Sequence, residues 1–84
     1  MTTTVYKEAH EHSCNNRKEL SRSGICGCFH CLEIFSSADI LRWLDEGDGT
    51  ALCPYCGIDS VIGESAGFPI TREFLSGMRK EWFE

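Results

Sequence analysis

Long apolar runs are missing from this chain, and so is any segment built like a secretion signal. No stretch approaches the roughly 20 apolar residues that a membrane-spanning helix needs. The opening MTTTVYKEAHEHS has neither a basic start nor an apolar core, so a signal peptide is not expected and a cytoplasmic setting is. Low-complexity linkers are absent too, as are internal repeats beyond two Cys-x-x-Cys units. Basic charge is scarce: 8 Lys and Arg stand against 13 Asp and Glu, for a net charge of −5. An acidic body repels phosphate backbones, which disfavours a general nucleic-acid role.

The acid is unevenly placed. Residues 1–27 carry four basic and three acidic side chains, whereas residues 28–84 carry four basic and ten acidic ones. A local basic face around Arg17, Lys18 and Arg22 keeps nucleic-acid contact open as an alternative, with Phe29 or Tyr55 as a stacking surface. At 84 residues the chain is expected to form one domain. A domain this small buries too little surface to dispense with a staple. Six cysteines are present to supply one. Where thiols stay reduced, paired cysteines favour metal binding or catalysis over disulfides.

Local signals place the elements. The first dozen residues are polar and expected to be loose. NNRKELSRSG predicts a short helix with Asn16 and Glu19 as a capping box and Gly24 as its end. ICGCFHCLEIF predicts strand, turn and strand, with Ile25, Phe29, Leu32, Ile34 and Phe35 as apolar anchors. SSADILRWLDEG predicts a helix capped by Ser36 and Asp39, striped by Ile40, Leu41, Trp43 and Leu44, with Gly47 as its left-handed exit. The DG at 48–49 turns the chain into a strand over Thr50–Cys53. Val61 and Ile62 suit a return strand, and ESAGFP a loop. ITREFLSGMRKEWFE predicts the clearest helix, capped by Thr71 and stapled by Ile70 on Leu75. Phe74, Met78 and Trp82 form its apolar row, and Gly77 is a mild defect. The chain thus divides into a polar segment with a short helix over 1–24 and a compact unit over 25–84.

Cys28-x₂-Cys31 and Cys53-x₂-Cys56, 21 residues apart, have the spacing of a two-pair zinc site. Two intervening residues allow a tight knuckle whose amides point at the sulfurs, and two facing knuckles deliver the four tetrahedral ligands zinc takes. Gly57 suits the left-handed position that finishes the second knuckle, whereas Leu32 implies that the first is finished differently. CPYC at 53–56 also resembles the glutaredoxin active-site tetrapeptide, and a thiol redox enzyme is a second alternative. In that family the tetrapeptide opens a helix near the start of the chain, where the helix dipole activates the thiol. Here GIDSVIG follows, which is not helical. Cys26 and His30 allow another ligand register, but are better read as a buried small side chain and a ring turned away. His10, His12 and Cys14 would share a face on a strand, and His10 and Cys14 would align on a helix, which would allow a second metal site or a His–Cys pair. A solvated polar segment with a stray thiol is the plainer reading. Asp59 and Ser60 read as turn formers. A zinc holding four thiolates has no position for water, so no catalytic residue is assigned.

The segments CGCFHCLEIF, TALCPYCGIDSVIG and GFPITREFLSGMRKEWF resemble a group of small bacterial zinc-ribbon-like cytoplasmic proteins of unknown function. The resemblance spans residues 26 to 83. It implies a small α+β fold, a rubredoxin-like zinc ribbon in which two zinc knuckles sit on a short antiparallel sheet, with an inserted helix and a C-terminal helix. It also implies one Zn²⁺ per chain on Cys28, Cys31, Cys53 and Cys56. No activity follows from it. The leading expectation is a non-enzymatic module that docks on a protein partner or a second copy of itself, with Trp82 and Phe83 as candidate interface anchors.

Overall fold

The computed structural model describes residues 3–45 and 47–83. Among the described residues the elements run in the order α1 (Thr3–Glu11), α2 (Arg17–Ser21), β1 (Ile25–Cys28), β2 (Ile34–Ser36), a 3₁₀ turn (Ser37–Asp39), β3 (Trp43–Leu44), β4 (Thr50–Ala51), β5 (Val61–Gly63), a second 3₁₀ turn (Glu64–Ala66) and α3 (Arg72–Phe83). The antiparallel sheet has the order β2-β1-β5, and β3 pairs with β4 in a separate ribbon. This is a small α+β fold.

Strand alternation sorts the core into two layers. Cys26, Cys28 and Val61 join Leu20, Phe35, Ile40, Ala51 and Cys53 in one cluster. Phe29 and Ile62, each offset by one residue, join Ala9, Phe74, Leu75 and Met78 in the other. A period of two sends neighbours to opposite faces, so Cys26 and Cys28 of β1 and Val61 of β5 face one layer while Ile62 faces the layer of α1 and α3. Not every expected anchor is inside: Phe29 and Phe35 are buried and Leu32 half-buried, whereas Ile25 and Ile34 are exposed.

α3 follows its signals. Thr71 Oγ1 accepts the Phe74 N–H at 3.1 Å, and Ile70 packs against the cluster that holds Leu75. Gly77 is not a defect. A Cβ there would collide with the Tyr6 ring, so the missing side chain is what admits α1 against α3. Tyr6 also meets Phe74 edge-on, with centroids 5.4 Å apart. Thr3–Glu11 is therefore helical rather than loose, while the first two residues of that expected loose segment lie outside the described residues. Val5, Tyr6 and Ala9 form an apolar strip, and a helix this short is held by packing rather than by propensity.

The helix expected after Ser36 does not form. Its capping box does: Ser36 Oγ accepts the Ala38 N–H at 3.2 Å, and Asp39 Oδ2 accepts the Ser36 N–H at 3.3 Å. The box starts a single 3₁₀ turn, after which Ile40 is extended and Trp43–Leu44 pair with β4. Leu52 N–H donates to Arg42 O at 3.1 Å, extending that pairing to the threshold of the second knuckle. The strand partner that frames the knuckle outcompetes the local helical preference. Of the expected stripe only Ile40 is buried, Leu41 being 83% exposed. Gly47 keeps its left-handed φ of 54°, as a turn residue, and β4 stops at Ala51 rather than Cys53. Glu64–Ala66 adds a 3₁₀ turn where a plain loop is expected.

Asn16 departs most from its expected role. It starts α2 without a side-chain cap bond. Its amide is buried and donates to His12 O at 3.0 Å and to Val61 O at 2.9 Å, while its Oδ1 accepts from Ala51 N at 3.1 Å. One side chain thus ties the end of α1, the rim of the sheet and β4 together. Its expected box partner Glu19 instead lies 3.0 Å from His12 Nδ1, and α2 ends at Ser21, short of Gly24. Replacing Asn16 by Ala strands two carbonyls and one amide. Urea denaturation of N16A is expected to show a loss of about 3 kcal/mol, the scale of several buried backbone groups left unpaired.

Candidate metal centre

Both knuckles close by the same backbone bonds. Leu32 N–H donates to Cys28 O and Gly57 N–H to Cys53 O, each at 2.9 Å. Cys28 N–H donates to Glu33 O and Cys53 N–H to Ile58 O, each at 3.0 Å. The residue after each second cysteine is left-handed, with φ of 65° at Leu32 and 77° at Gly57. The first knuckle is thus finished like the second, not differently. Leucine adopts there a conformation that costs an L-residue about 1 kcal/mol or more. Its side chain packs in the helical layer in exchange.

The sulfurs of Cys28, Cys31, Cys53 and Cys56 all lie within 4.8 Å of one another, and two of the four cross-knuckle pairs, Cys28–Cys56 and Cys31–Cys53, stand 3.6 Å apart. A tetrahedron with metal–sulfur bonds of about 2.3 Å has edges of about 3.8 Å. The four sulfurs fit such an ion, and all are free thiols. They form the one group of three or more metal-ligating side chains found among the described residues. Amides aim at them: His30 N–H reaches Cys28 Sγ at 3.3 Å and Tyr55 N–H reaches Cys53 Sγ at 3.3 Å. Those of Glu33 and Ile58 serve Cys31 and Cys56. Ser60 Oγ lies 3.0 Å from Cys28 Sγ inside the core, placed to donate to a thiolate.

Charge decides what this arrangement can hold. Burial pushes the Cys31 thiol well up, with the neighbouring Cys28 charge adding to it. Burial also pushes Cys56 up to about 11. At Cys28 burial acts in the same direction, but Ser60 and the Cys31 and His30 amides outweigh it and hold the thiol below its ordinary value. Four thiolates are thus stable together only with a cation between them, and loading one displaces protons. Each position of a tetrahedral ion is then filled by protein.

The other sequence candidates are dispersed. α1 ends at Glu11, so His10 and Cys14 never share a helical face. His10 stacks on Trp82 at 4.1 Å, His12 turns to Glu19, and Cys14 is exposed with its Sγ 3.8 Å from Glu11 O. Cys26 is fully buried outside the cluster, its thiol raised to about 11 by burial and by Glu64. The His30 ring turns to Phe83 at 4.8 Å, while its carbonyl accepts from Arg79 at 2.8 Å. Phe29 is 1% exposed and cannot stack on a base, although Tyr55 is 62% exposed. Arg17 lies over the Trp43 ring at 5.0 Å. Trp82 and Phe83 keep exposures of 37% and 44%. Sequence reading missed Ser60 as a partner of Cys28; a serine four residues past a cysteine carries no signal of its own.

The fold and the cluster define a small α+β domain with antiparallel sheets and a four-cysteine group able to hold a metal ion. Comparison with known proteins yields no match: no family model, no curated protein and no solved structure resembles the chain closely enough to count. Among the described residues no helix is long and apolar enough to cross a membrane.

Two outcomes follow from this geometry. Ser60→Ala is expected to weaken metal affinity about tenfold, the lower end for loss of a hydrogen bond to a ligand, read by competition with a chromogenic chelator. The metal-free chain is expected to lose stability as pH rises from 9.0 to about 11. Cys56 holds its proton in the fold up to about 11, so its contribution is complete below that window and is lost through it, and Cys31, raised further by burial, carries the loss to higher pH. The metal-loaded chain is expected to stay level there and to weaken in acid, where protons compete for sulfur. Urea midpoints of both forms across pH read the difference.

Proposed function

We propose that the chain is a non-enzymatic zinc-binding module, kin to the zinc ribbons, whose metal is a staple and whose work is contact with another protein. The observation that carries this reading is the convergence of four amide-supported sulfurs at tetrahedral spacing, which leaves no ligand position for water or substrate. Sulfur in this number and geometry selects zinc or iron, and zinc, which keeps one oxidation state, suits a structural staple.

The contact surface lies at the end of α3. Trp82 and Phe83 are half-exposed aromatics held in place rather than dangling. Trp82 Nε1 donates to Tyr6 O at 3.4 Å and its ring lies on His10, while Phe83 packs on Phe29 and His30. Pre-ordered aromatics lose little freedom on binding, and such residues dominate interface energy. Nucleic-acid contact is disfavoured because Phe29 is inside, Arg17 is engaged with Trp43 and the chain is acidic. The redox reading is disfavoured because CPYC opens a knuckle and not a helix.

Native mass spectrometry of protein purified under reducing conditions without added metal is expected to show one zinc per chain. Removing that zinc with a chelator is expected to collapse the cooperative thermal transition, since a metal that staples a small domain supplies folding energy on the order of 10 kcal/mol. A metal-free chain with an unchanged transition would overturn the structural role.

A further inference from the structure

The four sulfurs are not equivalent. Cys28 and Cys53 are buried, while Cys31 and Cys56 are half-exposed. Two of the four cross-knuckle pairs, Cys56 with Cys28 and Cys31 with Cys53, stand 3.6 Å apart, and each joins one sulfur of each kind. An oxidant arriving from solvent therefore meets an outward sulfur whose partner is already seated behind it.

We propose that the zinc-loaded site is peroxide-responsive and exchanges its metal for two cross-knuckle disulfides, Cys28–Cys56 and Cys31–Cys53, with the fold retained. The inference rests on the reading of the cluster as a zinc site. The outward thiolate of a pair attacks one oxygen of hydrogen peroxide, which breaks the O–O bond and leaves a sulfenic acid and a hydroxide. The buried thiolate then attacks that sulfur, expels the second hydroxide and closes the disulfide. Each pair gives two electrons to one peroxide. Two peroxides convert four thiolates into two disulfides and four hydroxides, and Zn²⁺ departs with no thiolate left to hold it.

Geometry favours this connectivity. A disulfide is about 2.05 Å long, so each sulfur of a 3.6 Å pair has only about 0.8 Å to travel. The two pairs use different sulfurs, so forming one bond takes nothing from the other. The backbone bonds that close the knuckles, Leu32 to Cys28 and Gly57 to Cys53, involve no sulfur and survive the exchange. A covalent link between the knuckles then replaces the ionic one. Cys26, fully buried and outside the cluster, stays a thiol.

The test uses the full chain carrying C14S, which removes the exposed thiol that could capture a sulfenic acid. One zinc per chain is first verified by native mass spectrometry. Hydrogen peroxide is then titrated in while a chromogenic chelator follows zinc release, disulfides are mapped in an acid-quenched digest, and near-ultraviolet circular dichroism follows the tertiary structure. The expected result is complete release near two peroxides per zinc, Cys28–Cys56 and Cys31–Cys53 peptides, an unmodified Cys26, a retained tertiary signal and recovery of zinc uptake on reduction. Cys28–Cys31 or Cys53–Cys56 disulfides, sulfinic acids, or loss of the tertiary signal on oxidation overturn the proposal. A zinc-loaded chain that ignores peroxide overturns it and leaves the zinc site standing; a chain that takes up no zinc removes both.

Discussion

Four thiolates crowded into one small volume repel one another, and desolvation adds to the cost of each charge. The rest of this molecule is arranged around making that crowd tolerable. Amides of His30, Glu33, Tyr55 and Ile58 turn inward to the sulfurs, and the Ser60 hydroxyl joins them. Those dipoles lower the charge each sulfur must carry alone, but they do not neutralise it. A divalent cation would offset two of the four charges and join the two ligand loops through one centre.

The sheet is the plate on which those loops are mounted. β1 delivers Cys28 directly, and β5 delivers Val61 beneath the cluster and Ile62 above the opposite face. Through the same strands the metal layer and the α1–α3 layer share a floor. The buried side-chain amide of Asn16 then locks the edge of that floor to β4 and to the end of α1, with a backbone group as its partner in each of three bonds.

The cluster was legible because ligand spacing is a local constraint: two residues between cysteines allow few backbone paths, and two such pairs at this separation can face each other with four sulfurs. α3 was legible for a similar reason, since Thr71, Phe74 and Met78 act within one helix. What escaped reading depends on partners distant in sequence. Val5, Tyr6 and Ala9 look too sparse for a helix until Gly77 opens a slot for the tyrosine ring. Ser36 and Asp39 announce a helix that the pairing of Trp43 with Ala51 cuts short. Leu32 takes a glycine's conformation because its side chain is needed in a layer that the knuckle sequence does not mention. The membership of Asn16 in a three-way bond had no local signature at all.

The two knuckles differ in what stands behind them. The first is braced from outside its own sequence, by Arg79 on the His30 carbonyl, by Phe83 on the His30 ring and by Ser60 on Cys28. The second presents exposed Pro54, Tyr55 and Gly57 to solvent, with open space where a Gly57 side chain would be. The four-cysteine site therefore has a braced side and an open side. Arg79 and Phe83 of the C-terminal helix both lie against the first knuckle, so whatever touches the end of α3 bears on the loop of Cys28 and Cys31 and not on that of Cys53 and Cys56.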